Sequence, residues 1–517
     1  MRQKITMINK LLLFIGVFGA ITSVTAQNQF LDPSFGSNGV YTYTPNNAYG
    51  FIYETGAFTA QQKIMVSGTF YNIPNSSQST TNVIQRLNAD GTIDNSFNTV
   101  FIPPVSSNPI SRLIKMCIQP DQKIILGDIL GSKLIRLNEN GTYDVGFGTN
   151  GVVANSVFSS FFDTLGLSGP FNFHNVFLTS NNKILLCTTV VDNQLSKLAV
   201  IRLNENGSID TTFGNNGIVL QEANLGRLVL QSDSKLVLIG QKTDGQFIKS
   251  RYSADGILDT TYNNNSISYT PIQNYSTYFC TATGKDNNTY IYGVSSSAAS
   301  SVSLITLMKL NQNGDLDNSF GTNGIVNESY YNSNNYYVDN NVLYPTLLID
   351  NSNHLFLVCM ASPTGNAADL NQFIKKFNPN GSVDSGFGNN GIVDVDLNYK
   401  EFMRSAIITP EQKILIFGNH QTPNKGIITK VLNSGNVLNS KDERIKDESI
   451  SIYPNPVKNT LNINARKMKD NNAEITDAGG RSILKTIIKD NKIDVSNLEQ
   501  GIYYLKTGST TNKFIKE

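Results

Sequence analysis

Short apolar runs, each introduced by polar turn residues, recur through most of the chain. Gln62-Lys63-Ile64-Met65-Val66, Gln122-Lys123-Ile124-Ile125-Leu126, Asn182-Lys183-Ile184-Leu185-Leu186, Ser234-Lys235-Leu236-Val237-Leu238 and Gln412-Lys413-Ile414-Leu415-Ile416 are clear copies. Asn288-Thr289-Tyr290-Ile291-Tyr292 and His354-Leu355-Phe356-Leu357-Val358 are worn ones. A continuous apolar run after a turn predicts a strand buried on both faces. A second phrase alternates with the first. It reads basic, apolar, Asn or Ser, any residue, Asn or Asp, Gly, then an apolar residue, Asp and Phe-Gly-x-x-Gly. Arg202-Leu203-Asn204-Glu205-Asn206-Gly207-Ser208-Ile209-Asp210 is one copy. The turn glycines are Gly91, Gly141, Gly207, Gly256, Gly314, Gly381 and Gly435, spaced 50, 66, 49, 58, 67 and 54 residues apart. A repeat of this period predicts stacked or ring-arranged supersecondary units.

Each unit parses into four antiparallel strands. Strand a follows Phe-Gly-x-x-Gly, as in Gly217-Ile218-Val219-Leu220. Strand b is the apolar stretch before the polar turn, such as Leu228-Val229-Leu230, and strand c is the Lys-apolar run. Strand d carries the basic residue, as in Phe247-Ile248-Lys249-Ser250-Arg251-Tyr252. The Asn/Asp-Gly pair supplies the positive φ of a tight turn. Four such strands, repeated, predict propeller blades. Glycine turns, strand-c runs and the aromatic starts Phe35, Phe97, Phe147, Phe213, Tyr262, Phe320 and Phe387 each number seven. The array opens at Leu31-Asp32-Pro33-Ser34-Phe35-Gly36 with the second half of the phrase. It closes at Lys430-Val431-Leu432-Asn433-Ser434-Gly435 with the first half, and Leu438 stands where the Asp should be. Split ends of this kind close a ring without exposed sheet edges. The expected fold is all-β: a seven-bladed β-propeller over residues 28–440, then a small C-terminal β-sandwich. An open β-solenoid is the alternative, although its coils are normally far shorter than these units.

Composition narrows the partners. Lys+Arg 41 against Asp+Glu 40 leaves a formal charge of +1. Near-neutrality argues against nucleic acid or an anionic membrane surface as the main partner. Arg2, Lys4 and Lys10, the apolar stretch Leu11–Ile21, and Val24-Thr25-Ala26 before Gln27 read as a secretory signal over residues 1–26, cleaved between Ala26 and Gln27. No later segment has the roughly 18 apolar residues of a membrane helix, so no transmembrane segment is expected in the mature chain. Cys117, Cys187, Cys280 and Cys359 fall in different units without paired spacing and read as small buried hydrophobes.

Residues 441–449 form a charged linker, and 450–517 a compact module of short alternating strands. That module contains Ile452-Tyr453-Pro454-Asn455-Pro456, Asp477-Ala478-Gly479-Gly480-Arg481, Gly501-Ile502-Tyr503-Tyr504-Leu505-Lys506 and Lys513-Phe514-Ile515-Lys516. In this order the elements resemble the C-terminal sorting domain of the type IX secretion system of Bacteroidetes. The resemblance implies that the type IX machinery is a partner and carries the cargo to the cell surface or medium. It makes Tyr453, Pro454, Asn455, Pro456, Gly501, Tyr503, Lys513 and Lys516 the sorting motif. The repeats before it resemble the delta-60 repeat family of exported bacterial proteins. That resemblance implies fold and export, not an activity.

Candidate chemistry is sparse. Asn138-x-Asn140-Gly141-x-x-Asp144 is a faint calcium pattern without the bidentate Glu of a calcium loop. A turn held by Asx side chains accounts for it without a cofactor. The basic residues Arg86, Arg136, Arg202, Arg251, Lys309, Lys376 and Lys430 recur, as do Asp94, Asp144, Asp210, Asp259, Asp317 and Asp384. Repetition in every unit favours ion pairing within or between blades over a ligand ring. His174, His354 and His420 lie in separate units, and no catalytic constellation is apparent.

The a–b and c–d connections share the face opposite the repeated phrases, and there the units differ. Unit three carries Phe158, Phe161, Phe162, Phe171 and Phe173; unit six carries Tyr330, Tyr331, Tyr336, Tyr337 and Tyr344; unit one carries Tyr41, Tyr43, Tyr49 and Tyr53. Such rings can stack on sugars, anchor a protein, or only pack loops onto blade tops. Three readings follow. The first is a non-enzymatic exported propeller binding a glycan or surface protein through these aromatics. The second is a hydrolase or lyase with a site over the central channel. The third is a structural surface protein without a discrete ligand.

Overall fold

The computed structural model describes residues 29–44, 50–71, 80–102, 113–128, 133–169, 173–223, 225–242, 247–263, 266–267, 279–296, 303–329, 345–361, 370–397, 400–420, 425–433, 451–464, 472–477, 481–507 and 510–517. Two compact units divide at Asn436/Val437. Within the first, the described strands form seven four-stranded antiparallel sheets. The b strands are Gly50–Phe58, Leu113–Ile118, Phe173–Leu178, Leu225–Leu230, Phe279–Thr283, Thr346–Ile349 and Glu401–Ile408. Each packs against the next in sequence order, and the seventh packs against the first. They therefore ring a central channel, which makes the unit a closed β-propeller.

The c strands behave as their composition demands. Ile184, Leu185, Leu186 and Cys187 have no exposure on either face, because neighbouring blades cover both. At the turn before each c run one non-glycine residue takes a left-handed backbone: Gln62, Gln122, Asn182, Ser234, Asn287, Asn353 and Gln412, with φ between 59° and 66°. Its side chain can compensate by tying blades together. Gln122 Oε1 accepts the Ala60 N–H at 2.9 Å, and Gln412 Oε1 accepts that of Asn351 at 2.7 Å.

The structure corrects the blade boundaries. Strand a does not open its blade; it completes the preceding one. Ile218–Glu222 pairs with the d strand Leu195–Leu203, not with Leu225–Leu230. The physical reason is local: two hydrogen-bonded turns join d to a, with Gly207 N–H on Asn204 O and Phe213 N–H on Asp210 O. That keeps both strands in one sheet and leaves the a–b connection to cross between blades. The same rule closes the ring. Val40–Tyr43 is the outer strand of the last blade, paired with Lys425–Val431 from Val40↔Thr429 to Tyr43↔Gly426.

The second unit has a three-stranded sheet (Ser451–Tyr453, Thr460–Asn464, Lys492–Asp494) and a four-stranded one (Ser482–Ile487, Asn472–Asp477, Gly501–Thr507, Thr510–Lys516). Leu461, Ile463 and Ile493 from the first share one core with Ile475, Leu505 and Phe514 from the second. Strand Gly501–Thr507 alternates buried and exposed, as a sheet with one solvated face requires.

Candidate functional site

The repeated residues build an interblade clasp. Arg202 Nε pairs with Asp210 Oδ2 at 2.8 Å, and Lys183 from the adjacent c strand reaches the same oxygen at 3.2 Å. The guanidinium lies 4.9 Å over Phe213, and its Nη1 donates to Ala254 O of the next blade at 2.7 Å. Equivalent pairs join Arg86–Asp94, Arg136–Asp144, Arg251–Asp259, Lys309–Asp317 and Lys376–Asp384 at 2.7 to 3.1 Å. The turn glycine is the other half. Gly207 has φ +86°, and a Cβ there would lie 2.7 Å from Val153 and 3.0 Å from Phe147 of the previous blade. Burial pushes the Asp210 carboxyl up, but hydrogen bonds from Thr212 and Lys183 outweigh it and hold the group at about 2.

The last blade lacks its Asp because of Leu438, and Asp32 from the first half-phrase supplies it. Asp32 Oδ2 receives Lys413 Nζ at 2.7 Å and lies 3.5 Å from Lys430 Nζ. Lys430 sits 5.7 Å over Phe35, and Gly36 N–H donates to Asp90 O of the first blade at 2.7 Å.

The calcium-like loop is a turn of the same kind. Asn140 Oδ1 accepts the Thr142 N–H at 3.0 Å, while Asp144 takes Gly146 N–H on one oxygen and Arg136 on the other. Among the described residues no group of three or more His, Cys, Asp or Glu side chains is placed to hold a metal. None of the four cysteines is in a disulfide; Cys187 and Cys359 are buried.

Of the candidate aromatics, Tyr330, Tyr331, Tyr336, Tyr337, Tyr344, Tyr49 and Phe171 lie outside the described residues, as do Ala26 and Gln27. Phe158, Phe161 and Phe162 sit on a helix, Asn155–Thr164, in the a–b connection of unit three. Phe158 and Phe162 have no exposed surface and join the core of that blade, with Phe158 edge-on to Phe173 at 4.9 Å. This corrects their assignment to a ligand face: they are the buried side of an amphipathic helix, and Phe161 is partly buried against them. Tyr53 is fully buried too, its hydroxyl donating to Gln85 at 3.0 Å.

What the repeats did not mark is the channel wall. A cavity of 610 Å³ is lined by six of the b strands and includes Lys115, His174, Asn175, Arg227, Cys280, Thr346, Arg404 and Ser405. Aligned on the turn before strand c, one position reads Thr55, Lys115, Asn175, Arg227, Cys280, Thr346 and Ser405 around the ring. The position before it carries Glu54, Ile114, His174 and Arg404 in four strands, and each of these residues is skipped by a bulge in the pairing with strand c. A bulge frees a residue from the ladder and re-aims its side chain. Arg404 Nε pairs with Glu54 Oε2 at 3.9 Å, and Ser405 Oγ donates to Glu54 O at 2.9 Å. Burial, with the Arg227 guanidinium nearby, pushes the Lys115 ammonium down to about 8. Burial, then Arg227 and Lys115, pushes His174 down to about 4, and its Nε2 shares a hydrogen bond with Thr189 Oγ1 at 2.8 Å. Burial pushes the Cys280 thiol up to about 12, which disfavours its thiolate at neutral pH. Lys115, His174, Asn175, Arg227, Cys280, Thr346 and Arg404 lie in the first halves of their b strands, on the side away from the repeated turns.

Comparison with known proteins finds matches within both parts. Residues 451–517 match the family described as "Secretion system C-terminal sorting domain". Residues 63–97 and 179–213 match the family described as "Domain of unknown function (DUF5122) beta-propeller". The chain is a β-propeller protein with a type IX secretion sorting tail. The sorting tail directs it to the cell surface or medium. No curated protein matches the sequence. Similar solved structures include polysaccharide lyase Uly1 (9% identity, 76% of this chain and 92% of that one, TM-score 0.44). They also include streptogramin B lyase (8%, 76% and 97%, TM-score 0.39) and the Nup133 β-propeller domain of Vanderwaltozyma polyspora (11%, 76% and 99%, TM-score 0.37). Likenesses this remote carry no argument about activity. Among the described residues no helix is long and apolar enough to cross a membrane.

Within the sorting domain the first and last motif elements touch. Asn455 Nδ2 donates to Lys513 O at 3.1 Å, and its Oδ1 accepts the Ile515 N–H at 2.8 Å. Val457 N–H adds a bond to Ile515 O at 2.8 Å. Tyr453-Pro454 and Asn455-Pro456 are both cis. Tyr503 stacks on Phe514 at 5.7 Å and donates to Glu499 O at 3.0 Å. Lys516 is buried, Lys513 is exposed, and Gly501 opens the strand that pairs with both.

Proposed function

We propose that this protein, after its leader is removed, is an exported, non-enzymatic binding propeller. Its ligand, a glycan or a surface protein, enters the central channel from the face of the a–b and c–d connections. The supporting observation is a contrast between two sets of positions. Where the units repeat, their side chains are consumed in blade-to-blade clasps. Where the b strands face the channel, equivalent positions hold different groups: lysine, asparagine, arginine, cysteine, threonine and serine. An asymmetric wall on a symmetric frame is what a specific ligand needs, and rigid scaffolds carry binding at such variable positions. The test is a glycan array and a panel of cell-surface polysaccharides and proteins, probed with the mature protein and with Thr346→Tyr, which adds bulk to the channel wall. A ligand lost in the variant supports the reading. A ligand that binds both forms equally, or no ligand, overturns it.

A further inference from the structure

We infer that the channel recognises an oxyanion on a hydroxyl-rich ligand, that is, a carboxylate or sulfate of an acidic saccharide. This rests on the reading that the ligand enters the channel, and it specifies the ligand's chemistry. Lys115 and Arg227 occupy the same strand position on Leu113–Ile118 and Leu225–Leu230, with Phe173–Leu178 between them. That middle strand contributes a neutral amide, Asn175, at the same level. Two cations thus flank an uncharged donor and acceptor across one sector of the wall. The described cavity lining carries Lys115, Arg227 and Arg404 and no carboxylate; Glu54, which pairs with Arg404, is buried. Each cation disfavours charge on the other, a repulsion that an oxyanion between them relieves. Asn175, Thr281, Thr346 and Ser405 add amide and hydroxyl groups of the kind that exchange hydrogen bonds with sugar hydroxyls. The near-neutral sequence as a whole hides this local excess.

The experiment is calorimetric titration of the full mature chain at pH 7 with oligogalacturonate, sulfated oligogalactose and neutral oligogalactose, and with inorganic sulfate as competitor. Lys115→Met and Thr346→Tyr are titrated alongside. The expected result is binding of an acidic oligomer at least about tenfold tighter than the neutral one. Sulfate competes, Lys115→Met weakens acidic binding about tenfold or more with an undiminished melting temperature, and Thr346→Tyr weakens it as well. The carboxylate and sulfate arms separate the two sources of the oxyanion. Equal affinity for the neutral oligomer, no binding of either acidic oligomer, or an unchanged affinity in Lys115→Met overturns the inference. A neutral glycan or a protein that Thr346→Tyr displaces refutes the oxyanion but keeps the channel. Acidic binding that is unchanged in Thr346→Tyr refutes the channel itself.

Discussion

Lys413 donates its ammonium to the Asp32 carboxylate at 2.7 Å, across 381 residues of sequence. Six clasps draw both partners from neighbouring sequence; the seventh draws them from the two ends of the propeller. Asp32→Ala should therefore cost about as much as Asp210→Ala, about 1–3 kcal/mol, because each strands buried donors. Urea unfolding of both variants checks this. An Asp32→Ala protein as stable as wild type would mean that the clasp contributes nothing to closure.

The clasps also set an acid limit. Asp32, Asp210 and Asp317 are each held at about 2, below the ordinary carboxylate value. In all three burial opposes the shift, and hydrogen bonds from Lys413 and Ser34, Thr212 and Lys183, or Lys309 and Ser319 outweigh it. A carboxylate with a depressed folded pKa stabilises fully above its unfolded value, about 4, and loses that contribution as pH falls toward the folded value. Melting temperature should be flat near neutrality and drop between about pH 4 and pH 2. Asp210→Asn should flatten part of that drop.

The helix supplies a packing prediction. Phe158→Ala empties a site with no exposed surface and should destabilise by about 3–5 kcal/mol. Phe161→Ala, at a partly buried position, should cost less than about 2 kcal/mol. Calorimetric melting of the two variants distinguishes a packing role from a surface role; equal, small losses would contradict the burial.

In the sorting domain, Asn455→Ala should release the Ile515 amide, which donates to Asn455 Oδ1 at 2.8 Å. Hydrogen exchange at Ile515 should speed up, while Leu505, inside the sheet, stays protected. Unchanged exchange at Ile515 would show that the terminal strand is held without the asparagine.

The c runs were legible as strands because blades bury them on both sides, so Ile184-Leu185-Leu186 reads as uninterrupted apolar sequence. The clasp residues were legible as a set, since each unit repeats them, but their partners were not. Only the fold shows Arg202 reaching Ala254 of the next blade or Asp32 standing in where Leu438 breaks the pattern. Blade membership of strand a was misread because sequence order does not say which neighbour a strand pairs with. The helix was missed although Phe158, Phe161, Phe162 and Leu165 follow its 3.6-residue period. The channel left the faintest signal. Lys115 and Arg227 are the single charges of Leu113–Ile118 and Leu225–Leu230, and they align only when the b strands are superposed on their following turns.

Lys115 gives the account a variant that separates function from fold. Its folded pKa, about 8, is below the ordinary lysine value because burial and Arg227 penalise the charge. A base with a lowered folded pKa destabilises the protein at pH below that value, and the penalty fades as pH rises toward about 10.4. Lys115→Met should raise the melting temperature at pH 7, and the gain should vanish at high pH. A lower melting temperature would mean the lysine is structural.

The most direct test of the central claim sets this variant beside a clasp variant. Oligogalacturonate affinity is measured by calorimetry for wild type, Lys115→Met and Arg202→Gln at a temperature where all three are folded. Arg202→Gln, though less stable, should bind as wild type does, while Lys115→Met, no less stable, should lose about tenfold or more in affinity. Loss of binding in Arg202→Gln with retention in Lys115→Met would contradict the division between a repeated frame and an asymmetric channel.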